Sequence, residues 1–169
     1  MRYSTASVLA FAALLGACSS SDTGANSGAG AGGLGAGAGG PGAGGYRAPA
    51  APGSEEDLVQ NVGDRVYFTT AQSTLNDDAR ATLDRQASWL QRYPTVRVLI
   101  AGNCDERGTE EYNLALGNRR ANAVGEYLVA HGIAASQLQT ISYGKDRPAD
   151  PASTPEAWAK NRNAITSVQ

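Results

Sequence analysis

VRVLIAGNCDERGTEEYNLALGNRRANAVGEYLVA, residues 96–130, passes through three textures in one run. Val96, Val98, Leu99, Ile100 and Ala101 are apolar and end at Gly102, which predicts a strand over 96–101, apolar enough to be central. Acids and bases then crowd into the stretch from Asp105 to Glu111. An amphipathic segment follows, and its spacing predicts a helix over Asn113–Ala130 with Leu116, Ala123, Tyr127 and Leu128 on one side. Gly132 supplies the C-terminal stop. Gly117 and Gly125 lie inside that helix, where each costs up to about 1 kcal/mol relative to Ala. A charged loop that leaves a strand end is a place where sites are often built.

The flanks extend the pattern. DRVYFTT (64–70) reads as a strand, and Asn76 and Asp77 offer an N-cap. Leu75, Ala79, Leu83, Ala87 and Leu90 follow at near-helical spacing to about Arg92, and Pro94 stops the helix. LQTISYG (138–144) alternates as a third strand. TPEAW (154–158) opens a short helix with Thr154 as cap and Pro155 first, and NAITSV (163–168) is a last strand. The order β-α-β-α-β-(short α)-β predicts a two-layer α/β sandwich with helices on one sheet face. Strands joined through helices are expected to pair in parallel; the last strand returns after a short connection, so the sheet should be mixed.

The N-terminus has another character. Arg2 precedes an apolar run, Val8–Leu15, too short to span a bilayer as a mature helix. Leu15-Gly16-Ala17-Cys18 resembles a bacterial lipobox, which implies cleavage of a 1–17 signal peptide and a lipid on the Cys18 thiol. Ser19, not Asp, stands next, which by analogy points to the outer membrane. Thirteen of the 21 glycines fall in residues 24–53, with almost no large apolar side chain. Such a segment buries too little surface to offset its chain entropy, so 18–53 is read as a flexible linker. As a coil its 36 residues from Ser19 to Ser54 span roughly 30–36 Å, and about 120 Å pulled straight. Residues 54–169 form one domain by size.

Without Arg2 the chain holds 13 basic and 16 acidic residues. No basic stripe exists to neutralise phosphates, so nucleic acid is not an expected partner. Cys104 is the one cysteine left beside an acylated Cys18, which excludes an intramolecular disulfide; no Cys/His metal spacing occurs, and no cofactor is expected beyond the covalent lipid. Catalysis is poorly supported. The lone histidine, His131, falls at a helix C-terminus, where a cation suits the dipole. Cys104 has no evident base, and adjacent Asp105 and Glu106 point different ways. Binding is better served. Arg120 shares a face with Leu116, Ala123 and Tyr127, and an arginine in line with a core face needs an anionic partner or ligand. Asp105 is its candidate neighbour. The two could form a structural ion pair that pins the loop, or grip the two ends of a zwitterion, carboxylate to ammonium and guanidinium to carboxylate. Spacing alone does not separate these roles.

GNCDERGTEEYNLALGNRRANAVGEYL (102–128), with VGDRVYF (62–68), ISYGKDRP (141–148) and AWAKNR (157–162), resembles the OmpA-like peptidoglycan-binding domain, most of all its peptidoglycan-associated lipoprotein branch. The resemblance spans the whole predicted domain, and the lipobox and linker fit the same layout. It implies non-covalent binding of peptidoglycan through the meso-diaminopimelate of the stem peptide, with Asp105 and Arg120 on that residue's free amino acid end. It places Asn113 and Arg162 in the same pocket; read without it, Asn113 equally caps the second helix and Arg162 is a surface cation. It further implies an outer-membrane tether in the Tol-Pal system, with TolB as periplasmic partner and a role in cell division. An OmpA-like partner-binding module without peptidoglycan affinity is the alternative. Four positions depart from the family pattern: Asn103 stands for the usual His, Cys104 for Ala or Thr, Ala71 for Asp and Asn163 for Arg.

Overall fold

The computed structural model describes residues 49–169, within one compact unit, Gly45–Gln169. The expected signal peptide, Cys18 and the linker as far as residue 48 lie outside the described residues. Ser54 caps a first turn of helix, α1 (Glu55–Asp57), accepting from the Asp57 N–H at 3.2 Å. This runs straight into a wider, π-helical turn (Leu58–Val62) that ends at Gly63. Leu58 and Val62 enter the core from it. Sequence reading missed this element, because EEDLVQNV offers only three apolar residues and less than the length of a periodic helix.

Four strands follow: β1 (Arg65–Tyr67), β2 (Val98–Asn103), β3 (Leu138–Gly144) and β4 (Asn163–Val168). They lie in the order β1-β4-β2-β3. β2 and β3 are parallel, as expected of strands joined through a helix. β1 and β2 are not paired: β4 lies between them, antiparallel to both. The expected β1–β2 pairing is thus corrected to a split β-α-β. Its cause is burial. β4 hides Asn163, Ala164 and Thr166, as a central strand must, whereas the three residues of β1 hide only Val66 and suit an edge.

Two long helices cover one face. α2 (Asp77–Arg92) is capped by Asn76, whose side chain accepts from the Ala79 N–H at 2.8 Å, and buries Ala79, Leu83, Ala87, Trp89 and Leu90. It also hides Gln86, whose amide donates to the Gly63 carbonyl at 2.7 Å and accepts from the Thr166 hydroxyl at 3.0 Å. α3 (Glu110–Ala130) lies over β2 and β3. Its cap is Thr109, so it begins three residues before the expected Asn113. The buried stripe is Asn113, Leu116, Gly117, Arg120, Ala121, Val124, Gly125 and Leu128; Ala123 and Tyr127 are only half-buried at its edge. Sequence reading set the face one position off, because polar Asn113 and Arg120 and two glycines interrupt its apolar signal. A short helix, α4 (Pro155–Asn161), capped by Thr154, feeds β4.

Gly117 has a packing reason. A Cβ there would meet the Ser142 Oγ at 2.3 Å and the Gly102 carbonyl oxygen at 2.7 Å. A Cβ on Gly102 would lie 1.9 Å from the Gly117 oxygen. α3 therefore touches β2 backbone to backbone, and this contact brings the first turns of α3 down beside the C-terminal end of β2.

Candidate ligand-binding cleft

The cleft forms where β2 stops. Parallel pairing with β3 shifts register between Gly102 and Asn103, and the Cys104 N–H reaches the Gly144 carbonyl at 2.7 Å. Asp105 is thereby fixed just past the strand end. Three more segments close around it: the turn at Thr70–Ala71, the first turns of α3, and Arg162 at the end of α4. Together they enclose about 240 Å³. Asp105, Asn113, Arg120 and Arg162, the four residues singled out from sequence, all line this cleft.

Their partners differ from the expectation. Asp105 and Arg120 do not form a pair. Arg120 is fully buried and its guanidinium is held by main-chain carbonyls. Nε donates to Gln72 at 2.9 Å, Nη1 to Asn103 at 2.7 Å and Nη2 to Thr69 at 3.1 Å. Nη1 also meets the Cys104 sulfur at 3.4 Å, and the group lies 5.1 Å from the Phe68 ring. Among the described residues no carboxylate lies within ion-pair distance of it. Burial pushes its pKa down from the ordinary arginine value, yet a guanidinium stays charged at neutral pH. A buried charge compensated only by carbonyl dipoles favours an anion.

Asp105 is gripped by other arginines. Arg107 donates to it twice from the side chain, Nε at 3.1 Å and Nη2 at 2.7 Å, and once from its backbone N–H at 3.2 Å. Arg162 adds Nη1 at 3.3 Å. Burial of Asp105 opposes ionisation, but the hydrogen bonds from Arg107 and Arg162 outweigh it and hold its pKa below the ordinary carboxylate value. Arg162 is no free surface cation: its Nε donates to the Phe68 carbonyl at 3.1 Å, and its own carbonyl accepts from the Phe68 N–H at 2.8 Å. Asn113 does not cap α3. It sits one turn in, buried, with Nδ2 donating to the Arg107 carbonyl at 2.9 Å. Sequence reading missed Arg107. Its signal was the spacing Asp105-x-Arg107, in which an Asp side chain takes the N–H two residues on.

The departures from the family pattern fall into place in two ways. Asn103 and Asn163 meet: the Asn103 amide donates to Asn163 Oδ1 at 2.8 Å, and Asn163 donates to the Lys160 carbonyl at 2.6 Å. Neither lines the cleft. Ala71 does, and it holds a left-handed φ of 58°. Cys104 is buried, its thiol donating to the Asn113 carbonyl at 3.4 Å, and burial pushes its pKa up. A protonated, enclosed thiol is a poor nucleophile. His131 stands eleven residues beyond Arg120 on α3, about 16 Å along the axis, so it takes no part in the cleft. There it caps the helix, its Nδ1 donating to the Tyr127 carbonyl at 2.7 Å.

Three guanidiniums and one carboxylate thus face one cavity at the end of a parallel strand pair in a mixed four-stranded sheet. This is the architecture of an OmpA-like domain, and the sequence pattern of the OmpA family matches residues 67–162; the chain belongs to that family. Within it the chain is similar to the peptidoglycan-associated lipoproteins. That of Rhizobium meliloti is 50% identical over 117 residues, which cover 69% of this chain and 66% of the relative. That of Agrobacterium fabrum is 48% identical over 122 residues, 72% of this chain and 69% of the relative. The crystal structure of the peptidoglycan-associated lipoprotein from Burkholderia pseudomallei superposes with a TM-score of 0.65 at 36% identity, covering 69% of this chain and all (100%) of that one. The C-terminal domain of Helicobacter pylori MotB follows at 0.59 and 26%, covering 63% of this chain and 84% of that one. The matched stretch spans about two thirds of the Rhizobium relative's own length, 66%.

Proposed function

We propose that this chain is an outer-membrane lipoprotein that binds peptidoglycan non-covalently and tethers the membrane to the wall. The cleft binds the free amino acid end of meso-diaminopimelate: Arg120 takes the carboxylate, Asp105 the ammonium, and Asn113 and Arg162 frame them. The observation that carries this reading is Arg120, a fully buried guanidinium with no carboxylate partner among the described residues, in one cleft with an ionised Asp105. A zwitterionic amino acid end carries one charge complementary to each. The names of the similar lipoproteins support the wall as ligand. The lipid on Cys18 supplies the membrane end, and the linker sets the reach between them. The reading extends to the Tol-Pal system, with TolB as partner and a role at division. Many weak grips acting together hold firmly through avidity. Binding, not turnover, is the role of the cleft.

The test is co-sedimentation of residues 45–169 with purified meso-diaminopimelate peptidoglycan, beside Asp105→Ala and Arg120→Lys, with folding of each checked by circular dichroism. Wild type should sediment with the wall, and both folded variants should stay in solution. Failure of wild type to sediment would turn the reading to a partner-binding module without wall affinity.

A further inference from the structure

Asp105 has no vacancy for a ligand. An ionised carboxylate offers about four acceptor positions. All are filled here: Oδ1 by the Arg107 N–H and Nε, Oδ2 by Arg107 Nη2 and Arg162 Nη1. An ammonium reaches a carboxylate oxygen only if one donor leaves. The donors are unequal. Arg162 is 16% exposed and is also tied to the Phe68 carbonyl. The Arg107 side chain is 44% exposed, and Asp105 is the only hydrogen-bond acceptor of its guanidinium among the described residues. It has somewhere else to stay. Its guanidinium lies 4.3 Å from the Trp158 ring, and that ring is fixed: Trp158 Nε1 donates to Glu106 Oε1 at 2.9 Å, and the Ser153 hydroxyl donates to Glu106 Oε2 at 3.1 Å. An arginine on an aromatic face keeps part of its stabilisation when a carboxylate is withdrawn.

We propose that Arg107 is an internal stand-in for the ligand's cation, which occupies Asp105 in the empty cleft and gives it up, staying against Trp158, when an ammonium enters. This rests on the reading of the cleft as a site for a zwitterionic amino acid end. The backbone N–H of Arg107 need not move, so the exchange costs only its two side-chain bonds. Arg107 thereby lowers affinity and keeps Asp105 ionised while the cleft is empty. It also makes the site selective: a ligand carrying only a carboxylate satisfies Arg120 but cannot displace Arg107, whereas one carrying both charges does.

The experiment titrates residues 45–169 with a soluble disaccharide tetrapeptide containing meso-diaminopimelate, followed by calorimetry. Arg107→Met keeps the stem over Trp158 and removes the guanidinium. It should bind at least threefold more tightly than wild type, while Asp105→Asn loses binding. In wild type the Arg107 Nε–H resonance should shift on saturation as its bond to Asp105 breaks. An Arg107→Met affinity equal to or weaker than wild type, or an Nε–H resonance unmoved at saturation, overturns the exchange while leaving the cleft's function standing. No binding by wild type and by Arg107→Met alike overturns both.

Discussion

Asn103 on β2 and Asn163 on β4 close the sheet beneath the cleft through a buried side-chain hydrogen bond of 2.8 Å. They stand 60 residues apart in the chain, and both are positions that the sequence resemblance marks as departures. The two departures are therefore one feature. The pair is also strained in satisfaction: Asn103 Oδ1 is the one buried side-chain polar atom without a partner among the described residues.

From this follows a coupling. Asn103→Ala strands the Asn163 oxygen, and Asn163→Ala leaves the Asn103 amide only the Ala101 carbonyl at 3.3 Å, so each should cost about 1–3 kcal/mol. The double variant should cost less than the sum, by at least about 0.5 kcal/mol. Urea unfolding of the four proteins measures this; simple additivity would show that the bond contributes nothing.

The two helix glycines should part company. Gly117→Ala places a Cβ against backbone and should destabilise by about 2 kcal/mol or more, despite better helix propensity. A Cβ on Gly125 would lie 3.4 Å from Thr140 Cγ2, an ordinary contact. Gly125→Ala should then be neutral or gain up to about 1 kcal/mol. Thermal melts of both decide it, and equal losses would mean that α3 does not rest on Gly102.

Arg120→Lys keeps charge but not geometry. One ammonium cannot reach the carbonyls of Thr69, Gln72 and Asn103 in the directions that the guanidinium serves. Stability should fall by about 1–3 kcal/mol, and wall binding should fall at least tenfold in the co-sedimentation assay. A variant that binds normally would show that the cleft needs only a positive charge.

Acid should weaken the fold through three carboxylates. Asp57, held by the Trp89 indole N–H, Asp150, held by Lys160, and Asp105 all have pKa values lowered from 3.8. In each case the unfolded chain takes up the proton first, so stability is complete above pH 3.8 and is lost as pH falls through the lower folded values. Urea midpoints should be flat from pH 7 to about 5 and drop below 4. Asp57→Asn should flatten part of that drop; an unchanged slope would exclude it as a contributor.

Helices, caps and the alternation of strands were legible in the sequence because they rest on local rules. Asn76 and Thr154 cap as their chemistry requires, and Gly132 ends α3 with a φ of 89°. The four cleft residues were legible from charge placed beyond an apolar strand and from resemblance. Which charges touch was not. Asp105 and Arg120 looked like partners because loop and helix converge, but Arg107, two residues away, reaches Asp105 first. Arg120 instead spans 51 residues to the Thr69 carbonyl, a contact that only packing of the Thr69–Gln72 turn against α3 creates. The place of β4 between β1 and β2 is of the same kind. Strand propensity is a property of six residues, whereas strand order is decided by which strand best fills the centre of the sheet. Local sequence set the parts and their charges; desolvation and close packing, which act between distant segments, decided how the charges are shared.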